Sequence, residues 1–107
     1  MSDAKRKALI EFLDEKVFSP VLNTDISKWP VDNQLSYKDI SWRVRNTQNR
    51  YRYEYPDAQS VVNNFRLDLH SSAGKDLAEK MKYLGLPTFE DVADKFHALV
   101  RGAAENE

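Results

Sequence analysis

Arg43, Arg45, Arg50 and Arg52 place four guanidinium groups within ten residues of a 107-residue chain whose formal net charge is -1. They lie in the run ISWRVRNTQNRYRYEY, residues 40 to 55, interleaved with Ile40, Trp42, Val44, Tyr51, Tyr53 and Tyr55. A guanidinium is planar, permanently charged and able to make paired hydrogen bonds to phosphate or carboxylate oxygens, so the chemistry on offer is recognition of anions. From Ser36 to Tyr55 five cations stand against two carboxylates, a local charge of +3 that leaves -4 for the rest of the chain. The basic charge is therefore local. Two partner classes fit it: nucleic acid, with the arginines on phosphates and Gln48 or Asn49 as base readers, or a protein with an acidic surface. A third reading is structural, with the arginines on a solvated face and carboxylates such as Asp68 and Asp76 neutralising them internally.

Catalytic signals are weaker. His70 and His97 each fall near the end of a predicted helix, where a cationic ring is mildly favoured. Ser71 and Ser72 adjoin His70, but neighbouring positions in sequence do not make a triad. The run SSAGKD ends like a phosphate loop yet lacks the earlier glycine and has Asp76 where a magnesium-binding hydroxyl belongs. There is no cysteine, so disulfides, thiolate catalysis and sulfur-ligated zinc are excluded, and a cytoplasmic location is expected. The carboxylates are dispersed, with no metal or dinucleotide fingerprint; no catalytic residue, metal or cofactor is assigned. The sequence expectation is a small non-enzymatic binding or regulatory protein that contacts nucleic-acid phosphates through the arginine-rich segment, with an interaction module docking on an acidic protein surface as the alternative.

The elements that must position these residues follow from periodicity. Length and the 41% hydrophobic content fit one domain over residues 1 to 107, with a frayed tail at 102–107. No apolar run approaches the roughly 20 residues that span a bilayer, so no membrane partner is expected. Leu9, Phe12, Leu13 and Val17 predict a helix over about residues 3 to 18, capped by Ser2 and ended by Pro20. Residues 19 to 34 read as an irregular connection pinned by Ile26 and Trp29. Ala58, Val61, Val62, Phe65 and Leu69 predict a second helix entered through Pro56 and Asp57. Ser72 is the expected cap of a third, with Gly85 as its left-handed stop. Thr88 with Asp91 then opens a fourth, carrying Phe89, Val92, Ala93, Phe96, Leu99 and Val100.

Between these helices the arginine-rich run is expected to fold as a two-stranded antiparallel hairpin turning at Thr47 and Gln48. Pairing Ile40 with Tyr55, Trp42 with Tyr53 and Val44 with Tyr51 gathers the apolar groups on one face, and sets Arg43 opposite Arg52 and Arg45 opposite Arg50 on the other. The predicted fold is thus α+β: an N-terminal helix, a central hairpin, and three C-terminal helices on its aromatic face. The alternative is an all-α, helix-turn-helix-like chain in which Ser36 and Asp39 cap a helix to about Asn46, with Tyr37, Ile40 and Val44 as its stripe.

Overall fold

The computed structural model describes residues 2–106, with side chains placed for residues 3–102. Helix α1, Ser2–Leu13, runs without a break through a π-helical stretch, Asp14–Phe18, into α2, Ser19–Leu22. Pro20 therefore lies inside the first helix and does not end it. The reason is local: Ser19 N–H bonds to the Asp14 carbonyl five residues back, and this wide turn accommodates a proline ring that a tight α turn would exclude. The cap expected of Ser2 falls on a side chain outside the described ones. So does most of the tail expected at 102–107.

An irregular connection does follow, shorter than expected, over residues 23–30. Trp29 and Ile26 pack against the core, and the Trp29 ring stands edge-on to Tyr37 at 5.8 Å. Pro30 then precedes α3, Val31–Tyr53, a 23-residue helix about 33 Å long at the usual rise. This helix replaces the predicted hairpin. Among the described residues there is no strand, so the α+β reading is overturned and the fold is all-α. The physical reason is a stripe with helical spacing: Tyr37, Ile40, Val44, Gln48 and Tyr51 are the buried residues of α3. In the expected sheet Trp42 and Tyr53 shared a face with Val44 and Tyr51; here they are 70% and 78% exposed.

The C-terminal end of α3 is closed from a distance. Arg6 of α1 donates from Nε to the Tyr55 carbonyl at 2.6 Å and from its terminal nitrogen to the Arg52 and Tyr51 carbonyls at 2.8 and 3.4 Å. A guanidinium on the orphan carbonyls of a helix end satisfies them and complements the helix dipole.

Helices α4 (Ala58–His70), α5 (Ser72–Tyr83) and α6 (Phe89–Asn106) match the predicted C-terminal set. Asp57 caps α4 by accepting from Ser60 N–H at 2.8 Å, and Gly85 takes the positive φ of 75° that a left-handed stop requires. Thr88 and Asp91 form the reciprocal capping box: Thr88 N–H donates to Asp91 Oδ2 at 2.9 Å and Asp91 N–H to Thr88 Oγ1 at 3.4 Å. The cap of α5 is Ser71, not Ser72, with its Oγ accepting from Gly74 N–H at 3.0 Å. Helix α1 packs on α4 and α6, α4 on α5 and α6, and α3 on α2, α5 and the π stretch. The core they share centres on Phe65 and Phe96, stacked at 3.9 Å, with Leu9, Leu13, Phe18 and Tyr51 around them.

Three substitutions read out this architecture by urea denaturation. Phe65→Ala removes a fully buried ring and is expected to cost about 3–5 kcal/mol. Tyr53→Ala, a core change in the hairpin fold, is expected to stay within about 0.5 kcal/mol because the side chain is exposed. A Cβ at Gly74 would run into the Asp68 carbonyl, so Gly74→Ala is expected to cost about 1–3 kcal/mol by forcing α5 away from α4.

Candidate functional site

All six predicted contact residues, Arg43, Arg45, Gln48, Asn49, Arg50 and Arg52, stand on α3. At about 100° per residue, Arg43 and Arg50 share one side of the helix and Arg45 and Arg52 another, the two pairs about 160° apart. Two of the four are held by the protein's own acids. Arg43 meets Asp76 Oδ2 of α5 at 3.5 Å, the internal neutralisation that the sequence suggested for Asp76. Arg52 meets Asp14 Oδ2 of the π stretch at 3.2 Å. Asp76 is shared with Lys80, four residues on, at 3.1 Å, and Lys80 first and Arg43 second hold its carboxyl below the usual range. The four guanidinium groups thus form no single patch.

Gln48, expected at an exposed tip, is buried, and its Nε2 donates to Asp14 Oδ1 at 3.1 Å. One carboxylate of the π stretch therefore holds both Gln48 and Arg52, which fixes the last turns of α3 against the first helix. Nothing in the sequence marked Asp14 for this role. Its partners lie 34 and 38 residues away, and the π turn that aims it has no signature of its own. Asn49 is exposed.

What α3 does present to solvent is a line of large apolar side chains. Val31, Trp42 and Tyr53 recur every eleven residues, close to three whole turns, and are 70%, 70% and 78% exposed. Leu35, 59% exposed, lies within about 40° of the same line. The line points about 160–180° from Ile40, Val44 and Tyr51, directly away from the core. Lys38 and Arg45 are exposed on one flank of it and Arg50 on the other, and among the described residues none of the three has an ion pair. On the Leu35 side a shallow groove lies between α3 and α5, with Asp39, Asp76, Glu79 and the exposed Tyr83 on its walls.

Beneath α3 the electrostatics differ. Tyr51 OH donates to Asp68 Oδ2 of α4 at 2.6 Å. Burial raises the Asp68 carboxyl above its ordinary value, opposed by the hydrogen bond from Tyr51 and then by the charge of Arg50. His70 is exposed, and His97 lies edge-on to both Phe65 and Phe96 at 5.8 Å, a packing role. No cluster of metal-ligating side chains occurs among the described residues, and none of their helices is long and apolar enough to cross a membrane. No protein-family model, curated protein or solved structure matches this chain.

The Asp68 environment gives a signed expectation. Its folded value is raised, so this group's contribution to stability is fully present below the unfolded value of 3.8 and is lost as pH rises through the folded value. Tyr51→Phe and Arg50→Ala each remove an influence that lowers the carboxyl, so both are expected to raise it further, Tyr51→Phe the more. Carboxyl-carbon NMR titration of Asp68 in the three proteins checks the order.

Proposed function

We propose that this chain is a small non-enzymatic interaction module that docks the outer face of α3 on an acidic protein surface. One observation carries the reading: Val31, Trp42 and Tyr53 stand in a single exposed line on the side of α3 facing away from the core. Water-exposed tryptophan and tyrosine in a row are costly for a soluble domain, and these residue types anchor protein interfaces when a partner covers them. The flanking cations supply the sign of the partner. Lys38, Arg45 and Arg50 have no ion pair among the described residues, so carboxylates opposite them gain a charge partner without displacing an internal one.

Nucleic-acid binding is the competing reading, and the arginine geometry gives it less support. Phosphate recognition by all four guanidinium groups required them on one open face. Arg43 and Arg52 instead bond to Asp76 and Asp14, and Arg45 and Arg50 point in directions about 140° apart.

The test is capture from nuclease-treated lysate with the wild-type chain and with a Trp42→Asp, Tyr53→Asp variant, whose fold is checked by circular dichroism. The expected result is one stoichiometric acidic protein, retained by the wild type and lost with the variant; Arg45→Glu weakens the purified pair by about tenfold or more. A partner held equally by both chains overturns the assignment to this face, and binding abolished by nuclease favours nucleic acid.

A further inference from the structure

Behind α3, on the side opposite the proposed docking face, a half-open cleft of about 530 Å³ runs into the bundle, its mouth lined by the exposed His70, Lys75, Glu79, Lys82 and Glu90. A cleft of this size is in the range that holds a small organic ligand. Its walls are mostly apolar: Val17 and Phe18 from the π stretch, Val44 from α3, Leu77 and Met81 from α5, and Phe89 from α6. Two features keep it open. Ala78 and Ala93 line it with almost no side-chain volume where leucine or phenylalanine would fill the space. The π stretch also widens the first helix at the turn that delivers Val17 and Phe18, and such turns recur at ligand sites.

Among the polar groups that line it is the Asp68 carboxylate. Tyr51 OH donates to its Oδ2 at 2.6 Å, and among the described residues Oδ1 receives no side-chain hydrogen bond. Arg50 acts on Asp68 through its charge but makes no ion pair with it. The cleft therefore holds an acceptor fixed through Oδ2 by Tyr51, with Oδ1 open to solvent and no ion pair to the carboxylate among the described residues. A carboxylate in apolar surroundings is stabilised most by a cation that donates to it directly, and the rings of Phe18 and Phe89 favour a cation beside them. The charges around the lining agree: the carboxylates Asp68, Glu79 and Glu90 stand against the ammonium groups of Lys75 and Lys82. Lys82 is already bonded to Glu90 at 2.7 Å, a link between α5 and α6 at the cleft wall.

We infer that this cleft is a binding site for a small, mainly apolar organic amine, its ammonium group on Asp68 and its hydrocarbon body between Phe18, Met81 and Phe89. The site is separate from the outer face of α3 and stands or falls independently of the docking reading.

Three probes that share a phenethyl body test it on the intact chain: phenethylamine, phenethyl alcohol and hydrocinnamic acid, each titrated to millimolar concentration and followed by amide chemical shifts. The expected result is saturable shifts for the amine, concentrated around Asp68, Met81 and Phe89, with an affinity about tenfold or more above that of the alcohol and no saturable binding of the acid. Asp68→Asn keeps an acceptor for Tyr51 and removes the charge; it is expected to bring the amine down to the alcohol's affinity while leaving the alcohol unchanged. Ala78→Leu fills the cleft and is expected to abolish binding of both in a chain that remains helical and cooperative on melting. The inference is overturned if none of the probes produces saturable shifts, if the alcohol or acid binds as well as the amine, or if Ala78→Leu binds undiminished. That last arm stands even if Asp68→Asn fails to fold.

Discussion

The hydroxyl of Tyr51 must reach Asp68. This side chain is fully buried, donates at 2.6 Å to the Asp68 carboxylate of α4, and sets its ring among Phe18, Tyr55 and Phe89 at 5.0 to 5.9 Å. A buried hydroxyl left without a partner costs free energy, and so does a desolvated carboxylate, so each group satisfies the other. The consequence runs the length of the helix. Once Tyr51 faces inward, the helical period sends Gln48, Val44, Ile40 and Tyr37 inward as well and turns Tyr53, Trp42 and Val31 to water. Arg6 holds that rotation at the far end by bonding the carbonyls of residues 51, 52 and 55.

The same geometry explains what was legible in the sequence and what was not. The C-terminal helices are readable because one face of each is apolar and the other polar, and their ends carry explicit signals: Asp57, Gly85, Thr88 with Asp91. Helix α3 breaks that rule twice. Its inward stripe passes through Gln48, which is tolerable because Asp14 receives its amide, and its outward stripe carries Trp42 and Tyr53. Ile40, Trp42 and Val44 thus alternate in, out, in; Tyr51 and Tyr53 do the same. Read as a list of apolar residues, in-out alternation on a helix is indistinguishable from the period-two pattern of a strand. Asp76 was available to the sequence as a neutralising acid. Asp14 was not, because its role depends on a π turn and on contacts across more than thirty residues.

Internal neutralisation also decides what the basic segment can offer a partner. Exposed ion pairs such as Arg43 with Asp76 contribute little, about 0–1 kcal/mol, and a strongly anionic ligand is able to compete for them. Arg52 is costlier to release: the carboxylate it would leave is part-buried and also bonded to Gln48, so moving Arg52 disturbs the joint between α3 and the π stretch. The cations that a partner reaches without that cost are Lys38, Arg45 and Arg50, and they flank the exposed apolar line instead of forming a track. A ligand matched to this pattern carries an apolar ridge between spaced carboxylates, which a protein surface provides more readily than a phosphate backbone does.

Helix α3 is also where the fold departs from local consistency on both of its sides. Outside, it exposes aromatic surface that a helix chosen for stability alone would make polar; inside, Val44 and Thr47 face a cleft that larger residues at positions 78 and 93 would narrow. Neither departure helps the other. Filling the cleft would leave Trp42 exposed, and replacing Trp42 would leave the cleft as it is, so no single packing defect accounts for both. In the C-terminal helices the caps and the core follow the pattern, as the capping box at Thr88 and the stacked Phe65 and Phe96 show, while Leu67 and Tyr83 are exposed singly. The exposed aromatic line on α3 and the small residues that α5 and α6 set opposite its inner side are thus separate departures from packing for stability alone, and each needs its own account.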